Sequence, residues 1–147
     1  GKKNFTVIFL EKSLMNAEIG FTYRVLAVFL KHGISFEHIP TGIDTMSFVV
    51  DSAILKNGVL EEVCAEIQEN VRPDNLRIIN DIALIAGVGH GMARSVGTSA
   101  RLFEAIARAG VNVRMIDQGS SELNIIVGVD NENYERTLKA VYEEFFE

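Results

Sequence analysis

Apolar positions follow two different periods along this chain, and the same order of periods occurs twice. Short runs rich in β-branched and aromatic residues, Phe5 to Glu11 and Ile82 to Gly87, predict one strand at the start of each half. A polar loop follows each run, and apolar residues then recur at helical spacing from Gly20 and from Gly97. Each half therefore predicts a strand followed by an amphipathic helix.

Each of these helices is predicted to end at a glycine, Gly33 in the first half and Gly110 in the second. Glycine is favoured there because it readily adopts the left-handed conformation that caps a helix. Two further strands and a second helix follow in each half, and Asn131 is the predicted N-cap of the last helix. The predicted strands are Ile34 to Thr41, Thr45 to Asp51, Val111 to Gln118 and Glu122 to Val129, and the second helices are Val59 to Val71 and Tyr134 to Phe146.

A single offset superimposes the two halves, which indicates a duplicated unit. Gly20 falls on Gly97 and Gly33 on Gly110, both 77 positions apart (97 − 20 and 110 − 33). The order strand, helix, strand, strand, helix, followed in the first half by a strand at Leu76 to Asn80, predicts an antiparallel sheet with both helices on one face. We predict an α+β fold of two tandem ferredoxin-like modules, residues 1–80 and 81–147.

The second module is expected to lack its final strand. The sequence ends with the helix Tyr134 to Phe146, and only Gly1 to Asn4 precede the first predicted strand, too few to supply the missing one. The strand Ile82 to Gly87 is therefore expected to have an unpaired edge. Because an exposed apolar edge favours pairing with another chain, we expect a homodimer or a larger assembly.

The composition argues against several classes of protein. With 48% hydrophobic and 23% charged residues, the chain is expected to fold. Its net charge of −6, without a basic patch, argues against a nucleic-acid partner. The single cysteine, Cys64, allows no internal disulfide and is expected to be a buried apolar residue. No apolar run is long enough to span a membrane and no signal peptide is apparent, so the cytoplasm is the expected compartment.

Particular sequence runs carry a resemblance to a known family. The runs 82–89, 97–107, 110–116 and 121–127 closely resemble the last ACT module of aspartate kinases. The first half, especially Met15 to Thr22 and His32 to Glu37, resembles the effector-binding ACT module of the same enzymes. The resemblance covers nearly the whole chain.

The resemblance implies an amino-acid-sensing regulatory region that mediates end-product feedback inhibition. The parent enzyme uses ATP to phosphorylate the side-chain carboxylate of L-aspartate, the first step towards lysine, threonine and methionine. Its ATP and Mg²⁺ sites belong to an upstream kinase domain of the same chain. The resemblance therefore implies no catalytic residue, cofactor or metal site in these 147 residues.

The resemblance also implies where an effector binds. Gly20, Phe21 and Thr22 begin a helix, where unpaired N–H groups favour a carboxylate. Ser35, Phe36 and Glu37 line the site in the family, and Glu37 could accept a hydrogen bond from the side-chain ammonium of lysine. Each residue has a plainer interpretation: Gly20 as a helix start, Glu37 as a solvated side chain, and Phe36 and Met15 as packing residues.

One stretch departs from the common pattern of the family. Many members carry Thr-Ser-Glu after the second strand, whereas this chain has Thr41-Gly42-Ile43-Asp44. Asp44 is the candidate replacement for that acid. L-Lysine is the first candidate effector and L-threonine the second, and the absence of any effector stays open.

Three other features of the sequence suggest different functions. The run Gly87-Val-Gly-His-Gly91, with Asp117 further on, is similar to a dinucleotide-binding fingerprint of an NAD-dependent oxidoreductase, but its glycine spacing is unusual and a parallel sheet is not expected. A free-standing ACT regulatory subunit of another biosynthetic enzyme would share the predicted fold. His32, His38 and His90 lack acidic or cysteine neighbours at ligand spacing, which argues against a metal site.

Overall fold

The computed structural model describes residues 1–89, 91, 94–121 and 124–147, and these fall into two units. The first unit is Phe5–Asn80, and the second unit combines Gly1–Asn4 with Asp81–Glu147. The strands are β1 (Lys2–Glu11), β2 (Thr45–Asp51), β3 (Asn75–Val88), β4 (Met115–Asp117) and β5 (Asn124–Asp130), and the helices are α1 (Phe21–Lys31), α2 (Val59–Asn70), α3 (Thr98–Arg108) and α4 (Tyr134–Phe146).

In the first unit, β1 is the central strand. It pairs antiparallel with β2, from Phe5 opposite Asp51 to Glu11 opposite Thr45, and its other neighbour is β3. The amide of Asp74, just before β3, donates to the Glu11 carbonyl at 2.8 Å, so β3 starts where β1 ends. Helices α1 and α2 pack on this sheet and share its core.

The apolar face of α1 provides much of this core. Phe21, Val25, Val28 and Phe29 recur at helical spacing and are all buried. Phe29 also meets Phe48 of β2 edge-on, with 4.6 Å between the ring centroids. A fully buried side chain of this size contributes about 1.5–3 kcal/mol, so this face fixes α1 against the sheet.

In the second unit, β5 lies between two strands. This strand pairs antiparallel with β3, from Ile82 opposite Asp130 to Val88 opposite Asn124, and with β4 on its other side. Its core joins Ile85 of the sheet to residues of α3 and α4. The predicted α+β fold, with antiparallel strands and helices packed against them in each repeat, is confirmed.

The predicted strand Ile34 to Thr41 is not a regular strand. Only single bridges join this segment to β2, at His38 opposite Val49 and at Thr41 opposite Met46. Pro40, which lies between the two bridges, has no N–H group to donate to a ladder. In the second unit, the regular strand β4 covers only three residues of the predicted strand Val111 to Gln118.

The start of the chain differs from the sequence-based expectation. The sequence assigns residues 1–80 to one module, whereas Gly1–Asn4 belong to the second unit. A Cβ atom added at Gly1 would lie 3.2 Å from the Leu84 carbonyl, so these residues lie beside part of the strand that was expected to have a free edge. They reach it because β1 continues to Lys2, with Asn4 in a left-handed conformation (φ 69°).

Asn131 does not cap α4, contrary to the prediction. It begins a 3₁₀ turn, Asn131–Asn133, and α4 follows this turn at Tyr134. The Asn131 side chain instead bonds Asn4 twice. Its Oδ1 accepts from the Asn4 amide at 3.1 Å, and its Nδ2 donates to Asn4 Oδ1 at 2.8 Å. This pair of bonds fixes the start of β1 to the second unit.

Part of one further prediction lies outside the described residues. Strand Glu122 to Val129 is observed as β5, but Glu122 and Leu123 are not among the residues that the structure describes. Within the described ranges, no helix is both long and apolar enough to cross a membrane.

Candidate effector site

Gly20 lies at the N-cap of α1 and has φ 84° and ψ 3°. This left-handed conformation is readily adopted by glycine but rarely by other residues. No side chain caps α1 at this residue, and the Gly20 carbonyl accepts from the Arg24 amide at 3.0 Å. Gly97 has the same conformation at the start of α3 (φ 92°, ψ −7°). The conformation is therefore a repeated feature of the fold, whether or not Gly20 also contacts a ligand.

Two carboxylates hold the loop that leads to α1. Asp44 Oδ1 accepts from the Leu14 amide at 2.9 Å, and Asp74 Oδ2 accepts from the Ser13 amide at 2.7 Å. The Lys12 amide donates to the Asp44 carbonyl at 2.9 Å. Asp44 therefore shapes this loop, and its side chain is exposed beside it. We call the segment Lys12–Arg24 the α1 head.

Two of the predicted contact residues are core residues. Met15 is 6% exposed and Phe21 is 2% exposed, and both belong to the core cluster of the first unit. A bound molecule could reach their backbone but little of their side chains. Thr22, by contrast, is exposed on the first turn of α1. Among the predicted residues at the α1 head, Thr22 and Asp44 therefore have exposed polar side chains.

Three charged residues that the sequence did not indicate meet at the α1 head. Lys12 Nζ lies 2.8 Å from Glu18 Oε2, and Arg24 Nη2 donates to Glu18 Oε1. The hydrogen bond from Lys12 is the largest cause that holds the pKa of Glu18 below its usual value. The Lys12 ammonium also lies over the Phe21 ring, 5.7 Å from its centroid. The fold of the loop brings these three side chains together, so their spacing along the sequence does not indicate that they are neighbours.

The remaining predicted residues lie towards the other end of α1. The Glu37 amide donates to the Val49 carbonyl at 2.8 Å. Phe36 is 39% exposed, and its ring lies 6.3 Å from Phe29 and 6.0 Å from Phe48. Ser35 and Glu37 are exposed, and no described residue forms an ion pair or side-chain hydrogen bond with the Glu37 carboxylate.

The eight predicted residues therefore form two groups in one copy of the chain. Phe21 and Phe29 are eight residues apart on α1, which corresponds to about 12 Å along the helix axis. The α-carbon and the ammonium of an extended lysine are only about 6 Å apart, as five covalent bonds allow. A single lysine cannot easily span from the α1 head to Glu37 of the same copy.

The second unit has an open cavity where the first unit has aromatic side chains. Its volume is about 320 Å³. By the repeat offset, Thr98 and Ile125 of its wall correspond to Phe21 and Phe48, which are both buried. The cavity is lined by Arg94, Ser95, Val96, Thr98, Ser99, Gln118 and Ile125.

The other candidate chemistries find little support. The strand before Gly87-Val-Gly-His-Gly91 pairs antiparallel with β5, so the parallel sheet of a dinucleotide-binding fold is not formed, and His90 lies outside the described residues. Across 1–89, 91, 94–121 and 124–147, no cluster of His, Cys, Asp and Glu could hold a metal ion. Cys64 is half-buried, and burial raises the pKa of its thiol, which disfavours a reactive thiolate.

Comparisons with known proteins agree with the duplicated fold. A family model described as ACT domain matches residues 85–145. Aspartokinase 3 of Bacillus subtilis is 38% identical over 142 residues, which cover 97% of this chain and 31% of that protein. The aspartate kinase of Clostridium acetobutylicum has 44% identity and a TM-score of 0.94, over 98% of this chain and 33% of that one.

A shorter structure matches over almost its whole length. It is a C-terminal regulatory domain of aspartate kinase from Porphyromonas gingivalis, with 26% identity, a TM-score of 0.79, and coverage of 99% of this chain and 94% of that one. By contrast, the chain spans about a third of the length of the Bacillus and Clostridium enzymes.

The two repeated units and these matches define an ACT-domain regulatory protein. Within that class, the chain belongs to the C-terminal ACT regulatory regions of aspartate kinases. The alternative of a regulatory subunit of a different biosynthetic enzyme gains no support from these relatives, because each of them is an aspartate kinase or part of one.

Proposed function

We propose that this chain senses an amino acid and transmits its binding to an aspartate kinase domain as feedback inhibition. The observation that carries the proposal is the alignment of 97% of the chain with 31% of Aspartokinase 3, since the remainder of that enzyme leaves room for a separate kinase domain. ATP, Mg²⁺ and L-aspartate would bind in that domain, which would act in the cytoplasm, and this chain would supply the effector site.

The α1 head is the proposed site for the carboxylate of the effector. Thr22 is exposed on the first turn of α1, where a helix has N–H groups without an intrahelical partner, and Lys12 and Arg24 add positive charge. L-Lysine is the first candidate effector and L-threonine the second. The structure of Escherichia coli aspartokinase III in complex with lysine and aspartate shares this fold at 23% identity, which makes lysine the first ligand to test.

Glu37 would then come from a second copy of the chain. Phe29, which lies beside the Phe36 ring, is about 12 Å along α1 from Phe21. Since Glu37 follows Phe36, we infer that it receives the ammonium of a lysine whose carboxylate is bound by another copy. Its exposed carboxylate leaves it available for such a partner. A homodimer in which two copies share each effector is therefore part of the proposal.

Isothermal titration calorimetry of the chain tests the proposal. L-Lysine should bind saturably and D-lysine should bind much more weakly, because carboxylate, ammonium and side chain must fit together. L-Threonine and L-methionine should be titrated under the same conditions, and sedimentation should show that the effector favours the dimer. If none of the three L-amino acids at millimolar concentration gives heat or changes an NMR spectrum, the sensing role is wrong.

A further inference from the structure

At the α1 head, two cations share one carboxylate. Each oxygen of Glu18 has its own partner: Oε2 lies 2.8 Å from Lys12 Nζ, and Oε1 accepts from Arg24 Nη2. The three side chains are only 21–37% exposed, so water screens the cluster incompletely. Because two cations share this one carboxylate, exchange of the Glu18 carboxylate for that of a ligand would leave the charge balance of the cluster unchanged.

The position of Arg24 connects this cluster to the proposed site. Its Nη1 atom lies 3.7 Å from the point where a Cβ atom of Gly20 would be, so the guanidinium group lies directly against the N-cap of α1. Lys12 is on the other side of Glu18, over the Phe21 ring. Glu18 thus bridges the two cations through its two carboxylate oxygens, and Arg24 is the cation that lies against the N-cap of α1.

The loop holds the backbone beside Lys12 more firmly than it holds the side chain of Glu18. Next to Lys12, the amides of Ser13 and Leu14 are held by Asp74 and Asp44. Glu18 follows the short 3₁₀ turn Met15–Ala17, and its amide donates to the Met15 carbonyl at 3.2 Å. Rotation of the Glu18 side chain alone would release both cations without breaking the backbone bonds of the loop.

We propose that Glu18 is an internal competitor of the effector, whose carboxylate displaces that of Glu18 from Lys12 and Arg24. This inference rests on the proposed function, because it concerns the same site. The apparent affinity for the effector equals its intrinsic affinity multiplied by the fraction of molecules in which the two cations are free of Glu18. The competition applies to the carboxylate that all α-amino acids share, so it sets the sensitivity of the site, whereas the choice of side chain depends on other residues.

Substitution of Glu18 by glutamine separates competition from a structural role. Glu18→Gln removes the competing charge, and L-lysine should bind about threefold to tenfold more tightly. Glu66→Gln is the matched control, because Glu66 also pairs with a lysine at 2.8 Å (Lys31) but lies on α2. The affinity of the Glu66→Gln variant for L-lysine should equal that of the wild type. L-Lysinamide, which lacks the carboxylate, should bind weakly to all three proteins.

A second variant keeps the test informative if Glu18→Gln folds poorly by circular dichroism. Arg24→Gln removes one receiving cation and should weaken L-lysine binding about tenfold. The competitor role is wrong if Glu18→Gln binds L-lysine with the same affinity as the wild type or more weakly. It is also wrong if Arg24→Gln binds L-lysine as tightly as the wild type does. In either case the sensing role stands. Failure of every protein to bind L-lysine, L-threonine or L-methionine overturns the sensing role, and the competitor role with it.

Discussion

At the scale of single residues, the exposed acid Glu37 separates lysine from other effectors. A side-chain ammonium held by this carboxylate would lose about 1.5–3 kcal/mol when the charge is removed. Glu37→Gln should therefore weaken L-lysine binding at least several-fold in calorimetry. Binding of L-threonine, which has no side-chain ammonium, should not change.

The matched control for this substitution is Glu69→Gln, which removes an exposed carboxylate of α2 away from the predicted site. Circular dichroism and the melting temperature should be the same for both variants and the wild type. An unchanged L-lysine affinity in Glu37→Gln would assign Glu37 to the solvated surface and make Asp44 the next candidate for the ammonium.

The individual residues also explain why the predicted site was only partly recognisable in the sequence. Gly20 stands out in the sequence because it matches Gly97 in the repeat and lies at a helix start, and both glycines have a left-handed conformation. Met15 and Phe21 gave no sign of whether their side chains face a ligand or the core, since both are apolar. Glu18 could not be found at all, because its partners are six positions before it and six after it, beyond any helical or strand period.

At the scale of secondary-structure elements, Glu144 joins α4 to α3 and should make the stability of the chain pH-dependent. Its carboxylate accepts from Arg101 Nε at 2.9 Å and from Arg108 Nη2 at 2.7 Å. These hydrogen bonds, with Arg101 the larger cause, lower the pKa of Glu144. The stabilisation is therefore complete above the unfolded-state pKa of about 4.3 and is lost as the pH falls through the lower folded-state pKa.

Melting curves of Glu144→Gln and the wild type between pH 7 and pH 3 test this prediction. The variant should melt at a lower temperature near neutral pH, and the two curves should converge in acid, where Glu144 of the wild type becomes protonated. Glu143→Gln is the control, because Glu143 pairs with exposed Lys139 at 3.6 Å, within α4 itself. If Glu143→Gln and Glu144→Gln lower the melting temperature equally, the bridge between α3 and α4 has no special role.

The elements themselves were predicted well where the local pattern was strong. Helix α4 was predicted at its observed bounds, and β2 as well, because each has a clear period and a turn at its start. The segment Ile34 to Thr41 was apolar enough to predict a strand, but Pro40 and the irregular edge of the sheet leave only single bridges. The role of Asn131 depends on Asn4, 127 positions away, which no local pattern reveals.

At the scale of the whole molecule, the edge of β3 beyond Leu84 should accept further strand residues. Gly1 lies beside Leu84, so in a longer chain the residues before Gly1 would run along Ile85–Val88. In such a longer chain, about ten residues before Gly1 should raise the melting temperature and slow amide exchange in Ile85–Val88, because a paired edge is protected. Self-association of the chain should decrease in sedimentation experiments.

The control for this extension is an equally long Gly/Ser segment, which lengthens the chain without favouring a strand. Equal melting temperatures and equal exchange rates for the native and the Gly/Ser extensions would show that the upstream residues do not pair with β3. A strictly monomeric chain whose Ile85–Val88 amides are already protected would contradict the same prediction.

The bond between Asn4 and Asn131 also has a consequence for the order of folding. In an unfolded chain, it closes a loop of 127 residues. Once the first unit has folded, Thr6 Oγ1 lies 3.0 Å from Asn80 Oδ1, and the remaining loop from Asp81 to Asn131 is only 50 residues (131 − 81). The shorter loop lowers the entropy cost of closure by about 0.8 kcal/mol. Folding of the continuous first unit thus lowers the entropy cost of closing the second unit, which combines Gly1–Asn4 with Asp81–Glu147.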